Sequence, residues 1–428
     1  MTRLLLRGGR VVDPAARRDG IADLLVENGR LSRIGERLDA ASADVVDASG
    51  KLVFPGFIDL HVHLREPGFE YKESILSGAQ AAAAGGFSAV CAMANTDPVN
   101  DHRTVTRWIA DRAREAGFSR VYPIGAITKG MRGEELSEFG EMKEAGAVAV
   151  SDDGRWVANG SVMRRALEYA TLFDLPVATH AEDESLSGRG AMNEGRVSTR
   201  LGLSAQPAEA ESIAVARDLT LCELAGGRLH VCHVSTARSV ALIREAKARG
   251  VRVTCEVTPH HLFLTDEEVA RSGFSTATKV NPPLRGERDV AALHEALLDG
   301  TIDALATDHA PHHADEKAVD YESAPFGLVG LETAASLFHD RLVRTGRVPV
   351  ARMVELFSGG PARAFSLPGG GLVEGKDADF TVFDPAAEVE VDPRAFRSRA
   401  RNTPFAGARL TGAVAATYVA GREVYRRP

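Results

Sequence analysis

Phe57-Ile58-Asp59-Leu60-His61-Val62-His63-Leu64-Arg65 begins as a buried strand and ends in polar groups of high chemical value. Strand periodicity puts residues i and i+2 on one face, so His61 and His63 point the same way while Val62 points opposite. One metal ion can take both imidazoles. Asp59 shares that parity one step deeper, where a carboxylate is expected to orient a ligating imidazole through its second nitrogen.

Further apolar runs of this kind follow at regular intervals. Counting the first near Val53, the others begin near Phe87, Val121, Ala147, Pro176, Leu229, Val251 and Asp303. Between them, Arg103 to Ala116, Ser161 to Phe173, Ala208 to Ala225 and Thr236 to Arg249 carry the 3.6-residue apolar spacing of amphipathic helices. Eight strand and helix repeats predict a parallel sheet closed into a (β/α)8 barrel over residues 54–369.

The flanks read differently. Residues 3–53 alternate short apolar runs with Gly, Asp and Asn turns, and Asp379 to Phe383, Val389 to Val391 and Ala413 to Val419 repeat that texture. Lone strands at both ends need partners, so residues 1–53 together with 370–428 are expected to form one small β-sandwich domain.

In such barrels reactive groups stand at the C-terminal ends of strands. Those ends read Asn95-Thr96, Ser151-Asp152-Asp153-Gly154, His180-Ala181-Glu182, His233-Val234-Ser235 and Asp308-His309-Ala310-Pro311-His312. A lone histidine is more often a satisfied core residue than a ligand. Several at successive strand ends of one barrel, with carboxylates between them, predict a metal site. Imidazole and carboxylate without thiolate suit Zn²⁺, and ligand type alone leaves Mn²⁺, Co²⁺ and Fe²⁺ open.

Composition agrees with a small-molecule enzyme. The 428 residues are 44% hydrophobic and 26% charged, ordinary for a globular protein. A formal net charge of −8 argues against a nucleic-acid partner, which needs a concentrated basic face. The N-terminal apolar run is too short for a signal peptide and no long apolar span appears, so a cytoplasmic protein with no membrane association is expected. Cys91, Cys222, Cys232 and Cys255 lack metal-site or redox spacing and read as reduced packing residues.

The motifs also carry a family resemblance. Pro55-Gly56-Phe57-Ile58-Asp59-Leu60-His61-Val62-His63-Leu64-Arg65-Glu66-Pro67-Gly68 resembles the signature of bacterial dihydroorotases of the type I branch in the amidohydrolase superfamily. Asn95-Thr96-Asp97-Pro98, Ser151-Asp152-Asp153-Gly154, Val257-Thr258-Pro259-His260-His261, Asn281-Pro282-Pro283-Leu284-Arg285 and Thr307-Asp308-His309-Ala310-Pro311-His312 extend the likeness along the chain.

The resemblance implies two divalent metal ions, one held by His61, His63 and Asp308, the other by His180 and His233, with Asp153 bridging. Parity does not choose between Asp152 and Asp153; the resemblance does. Many relatives bridge with a carboxylated lysine at the end of strand four, but Lys143 lies in the preceding helix, which resembles the branch that uses aspartate. The activity implied is reversible closure of N-carbamoyl-L-aspartate to L-dihydroorotate in pyrimidine biosynthesis. A hydroxide bridging the metals would attack the ring carbonyl, and Asp308 would shuttle the proton.

An anionic substrate needs a local cation, and Arg65, two residues beyond His63, can grip a carboxylate bidentately. The resemblance adds His63, Asn95, Asn281 and His312 as substrate contacts, with backbone groups at Phe326 and Gly327. Asn95 and Asn281 also suit plain turn or strand-end capping. His260 and His261 read as structural, and residues 313–325 read as either a lid or an inert surface loop.

Two alternatives stand beside this reading. One is another cyclic amidohydrolase, an allantoinase or a dihydropyrimidinase. The other is a non-catalytic, dihydroorotase-like partner of aspartate transcarbamoylase, although such chains lack metal ligands and here every expected position is filled. Partners implied are the small-molecule substrate, further copies of the chain in a homo-oligomer, and aspartate transcarbamoylase in a complex.

Overall fold

The computed structural model describes residues 3–39 and 41–428. Five strands open the chain: β1 (Arg3–Asp13), β2 (Arg18–Glu27), β3 (Arg30–Gly35), β4 (Asp44–Asp47) and β5 (Leu52–Pro55). Eight parallel strands follow as β6 (Phe57–Val62), β7 (Phe87–Ala92), β8 (Arg120–Gly125), β9 (Ala149–Ser151), β10 (Val177–Thr179), β13 (Leu229–Val231), β14 (Val253–Val257) and β15 (Ala304–Leu305). A short excursion after β10 holds the two-residue strands β11 (Met192–Asn193) and β12 (Ala205–Gln206), paired with each other. The chain finishes on β16 (Phe380–Glu390), β17 (Arg409–Val419) and β18 (Arg422–Arg426).

The eight parallel strands run side by side in chain order from β6 to β15. A parallel bridge between Val62 and His309, backed by the His63 N–H donating to the His309 carbonyl at 2.8 Å, closes the ring. This is the predicted (β/α)8 barrel. Helices form at Arg103–Ala116, Gly160–Thr171, Glu209–Ala225 and Ala237–Ala248, within two residues of the periodicity reading at each end. No described helix is long and apolar enough to cross a membrane.

Strands from both ends of the chain join in one eight-stranded sheet, in the order β18-β17-β16-β5-β1-β2-β3 with β4 on β1. The run from Val53 is therefore not a single barrel strand. Leu52 to Pro55 pairs with β1 and β16 in the terminal sheet, Gly56 breaks the ladder, and the barrel starts only at Phe57. A Cβ on Gly56 would stand 2.3 Å from Ser88 Oγ, so only glycine lets the chain pass between the sheets.

Phenylalanines seal that seam. Phe54 lies 5.8 Å from Phe57 and 6.0 Å from Phe383 of β16, and Phe57 packs on Phe87 and Phe357 at 5.9 and 5.0 Å between ring centroids. All five are fully buried. Burying each such ring contributes about 1.5–3 kcal/mol, so the terminal sheet and the barrel share one cohesive joint. The four cysteines are free and buried.

A candidate metal centre at the barrel mouth

The strand ends converge as the barrel geometry requires. His63 Nε2 stands 3.2 Å from Asp308 Oδ1 and 3.4 Å from Asp153 Oδ2, and His61 Nε2 stands 3.4 Å from the same Asp153 oxygen and 3.5 Å from Asp308. On the other side, His180 Nδ1 and His233 Nε2 each lie 3.5 Å from Asp153 Oδ1. Asp153 thus lies between two sets, His61 with His63 and Asp308, and His180 with His233. Either set, the second completed by Asp153, brings its ligand atoms close enough to share a cation. Its neighbour Asp152 turns away and accepts from the Thr128 N–H at 3.0 Å.

The donor set fits a metal on two observations. Buried His61 Nε2 and Asp153 Oδ1 have no hydrogen-bond partner among the described residues, although orphaned buried polar atoms are costly. Burial alone would push the Asp153 and Asp308 carboxyls up, yet the surrounding imidazoles, His61 foremost, hold both well below the usual carboxylate range. Burial likewise opposes a charged His61, but Asp153, Asp308 and Glu256 outweigh it and raise its pKa. A pocket whose carboxylates draw positive charge onto His61 and His180 is shaped for a cation.

Behind this cluster His61, His63 and His180 are each steered by a second contact, whereas His233 Nδ1 has no hydrogen-bond partner among the described residues. His61 Nδ1 faces Glu256 Oε1 at 2.7 Å, and the same carboxylate reaches His230 Nε2 at 3.0 Å. The orienting role expected of Asp59 therefore belongs to Glu256. Asp59 instead accepts from the His61 backbone N–H, from the Thr307 N–H and from the Thr307 hydroxyl at 2.6 Å, tying the first barrel strand to the last. No local pattern reveals Glu256, because its partner lies nearly two hundred residues away in sequence.

Asn95 Oδ1 lies 3.0 Å from His63 Nδ1, which fixes that ring too. Across the mouth, His180 Nε2 meets Glu182 Oε2 at 2.8 Å, and the Asn281 amide donates to the same oxygen at 2.6 Å. Burial would raise the Glu182 carboxyl, but His180 brings it down to about 2. Glu182, at the end of the fifth barrel strand, thereby orients His180, a role its place in the sequence motif does not reveal.

Arg65 lies at the rim with φ of 64°, a left-handed conformation it shares with His233 and Asp308. Backbone of this kind is unfavourable for residues other than glycine and gathers at functional sites. Arg65 Nε donates to the Pro311 carbonyl at 3.2 Å, and no carboxylate pairs with its guanidinium among the described residues. His312 is more committed: its Nε2 lies 2.8 Å from the Phe326 carbonyl and its Nδ1 3.2 Å from Glu316. Burial, then the charge of Arg65, pushes the His312 pKa down to about 3.

Gly327 follows with φ of 135°, where a Cβ would stand 2.7 Å from the Ala310 carbonyl. The preceding segment contains a short helix, Ala314–Lys317, and is pinned from within. Lys317 Nζ donates to the Pro325 and Gly327 carbonyls, and Tyr321 is buried against a small apolar cluster with Met192, Val197 and Val269.

Comparison with known proteins places this geometry. The Dihydro-orotase-like family matches residues 50–239, and the Amidohydrolase family matches residues 214–425. A dihydroorotase of Anaeromyxobacter sp. (strain K) is 55% identical over 99% of this chain and 98% of its own length. One from Syntrophotalea carbinolica is 52% identical over 99% of each.

The chain belongs to the dihydroorotase family.

Among solved structures it resembles the L-hydantoinase of Arthrobacter aurescens, with a TM-score of 0.87 at 27% identity, covering all of this chain and 96% of that one. The dihydropyrimidinase of Brevibacillus agri NCHU1002 gives a TM-score of 0.86 at 25% identity, covering 99% and 95%. The dihydroorotase family thus shares its barrel and terminal sheet with enzymes named for other cyclic amides, and this chain is a metal-dependent cyclic amidohydrolase by kinship.

Proposed function

We propose that this protein is a dihydroorotase, closing N-carbamoyl-L-aspartate to L-dihydroorotate with loss of water and hydrolysing the ring amide in reverse. The observation that carries the proposal is Asp153 standing between His61, His63 and Asp308 on one side and His180 and His233 on the other. We assign the first set to one divalent ion and the second to another, with Zn²⁺ the best match to imidazole and carboxylate. Bound there, such ions would polarise the ring carbonyl and lower the pKa of a water.

The side chains do the rest. Asp308, ionised at neutral pH, takes a proton from the attacking water and passes it to the departing ring nitrogen. Arg65, with no carboxylate paired to it among the described residues, grips the substrate's carboxylate with its planar fork. Asn95 and Asn281 present amide groups beside His63 and His180, placing them for substrate as well as for ring orientation. Backbone groups at Phe326 and Gly327, backed by His312, form the far wall of the substrate site.

We further infer that residues 1–55 with 370–428 act as a companion domain to the barrel, which starts at Phe57, a few residues later than the boundary at 53 expected from the sequence. A separate apolar cluster around Leu24, Val26, Phe380 and Tyr418 supports that division.

Turnover of L-dihydroorotate with added divalent metal, run beside hydantoin, dihydrouracil and allantoin, tests the reading. Activity on dihydroorotate alone, abolished in Asp308→Ala, is the expected result. Preference for a neutral ring would overturn the Arg65 assignment. Silence on every substrate with metal bound would point to a required partner, aspartate transcarbamoylase first.

A further inference from the structure

Between β16 and β17 the chain leaves the terminal sheet and runs along the rim of the barrel, where two carboxylates pin it. Glu332 accepts from the Arg397 and Ser398 N–H groups at 2.8 and 3.1 Å. Glu73 accepts from the Ser398 hydroxyl at 2.5 Å and from the Arg399 N–H at 3.3 Å. Further on, the Asn402 amide donates to the Gly327 carbonyl and the Val329 N–H to the Asn402 carbonyl, both at 3.0 Å. Ser398 and Ala400 are buried and alternate with exposed Arg397, Arg399 and Arg401, so the anchored residues hold the arginines between them out of the core.

Arg399 and Arg401 line a cavity of about 360 Å³ together with Lys72, Lys317, His312 and His313, and no carboxylate lines it. Through His312, which also meets the Phe326 carbonyl, the cavity adjoins the wall assigned to the substrate. Of the four lysines and arginines only Lys72 has an acidic partner, Glu316 at 2.9 Å, and that carboxylate is shared with the Tyr71 hydroxyl and His312. Arg399 donates to the Glu70 carbonyl, Arg401 to those of Ser398 and Ala400, and Lys317 to those of Pro325 and Gly327. None of these three forms an ion pair among the described residues. Burial, then the charge of Lys279, brings buried Lys317 down to about 7, and an anion set beside it would reverse that.

Cations gathered in a cleft without counter-charges repel one another and focus a field that draws anions in. The protein as a whole carries a net charge of −8, so this attraction is local. N-carbamoyl-L-aspartate is a dianion. Once it is bound, Arg65 holds one carboxylate and the other is the one that reacts, but both must first be drawn into the mouth. Resting on the dihydroorotase reading above, we propose that this cavity is a second anion site, which captures a carboxylate of the incoming substrate before it passes to Arg65 and the metal centre. The terminal sheet thereby contributes to substrate entry through the segment Arg397 to Asn402.

The test follows kcat/KM of the metal-loaded enzyme for N-carbamoyl-L-aspartate and for the monoanion L-dihydroorotate, from about 20 mM to about 0.5 M salt. The variants are Arg399→Gln with Arg401→Gln, the same pair changed to Lys, and a control pair of equal charge loss in the terminal sheet, Arg394→Gln with Arg409→Gln. Expected at low salt is a loss of about tenfold for the dianion and about threefold for the monoanion in the first pair, with kcat unchanged and the difference gone at high salt. The Lys pair should keep most of the wild-type rate, and the control pair should match wild type. A loss that is independent of salt, or that the Lys pair shares, would overturn the proposal by assigning the arginines to the framework. An equal loss in the control pair would overturn it by showing that net charge alone matters. Inorganic phosphate bound by wild type and not by the Gln pair, with both rates unmoved, would give the cavity to free phosphate instead. If wild type turns over neither substrate, the functional reading fails and this inference with it; wild-type turnover with an indifferent Gln pair defeats the inference alone.

Discussion

The terminal sheet and the barrel mouth each bury aspartates, and they use them in opposite ways. In the sheet, Asp13 accepts from the backbone N–H groups of Ala15, Ala16 and Leu372, and Asp23 from those of Gly8 and Leu38. Their oxygens are spent on knitting distant segments together. At the mouth, Asp153 Oδ1 has no hydrogen-bond donor among the described residues, and Asp308 meets only imidazole nitrogens, His63 Nε2 and the otherwise unpartnered His61 Nε2. Saturated carboxylates hold a fold; unsaturated ones await something the fold does not contain.

That contrast breaks most visibly in function. Asp308→Ala is expected to lower kcat by about 10²–10⁴-fold while leaving the denaturant midpoint near wild type, because no backbone group depends on it. Asp13→Ala should do the reverse. Stranding three backbone N–H groups costs about 2–4 kcal/mol of unfolding free energy, with kcat/KM unchanged once the protein is folded. Equal stability losses in the two variants would erase the distinction.

Residues between the extremes sharpen it. Asn95→Ala removes the partner of His63 Nδ1 and should weaken metal binding by about 10- to 100-fold in a chelator competition, with little effect on unfolding. Glu332 supplies a third kind of buried carboxylate. It accepts the Arg397 and Ser398 N–H groups, but burial outweighs them and raises its pKa to about 7. A group whose folded pKa is raised stabilises fully below its unfolded value near 4.5, and that contribution is lost as pH climbs through about 7. Wild type should therefore lose on the order of 1–3 kcal/mol relative to Glu332→Gln between those limits, read from unfolding curves at each pH.

Much of this was legible beforehand for a physical reason. Barrel strands are short apolar runs and their helices are amphipathic, so each leaves a local periodic trace, and the ligands sit at fixed offsets after those runs. What stayed hidden is non-local. Gly56 is needed because Ser88 crowds it, Val389 and Glu390 belong to the same strand as Phe380 to Asp384 because β17 pairs with both, and Glu256 matters because His61 folds over it. The pairing of His261 with Thr258 and with the Pro282 carbonyl is equally invisible in the string Pro259-His260-His261.

The placement of β5 between β1 and β16 carries a consequence in time. As the chain leaves the ribosome, β5 emerges hundreds of residues before the strand that must flank it, while each barrel repeat meets its neighbour within a few dozen. Contacts of such long sequence separation form slowly. One edge of β5, with the phenylalanine seam beside it, therefore stays open through most of synthesis, and that interval is when the nascent protein is most exposed to aggregation and most in need of a chaperone.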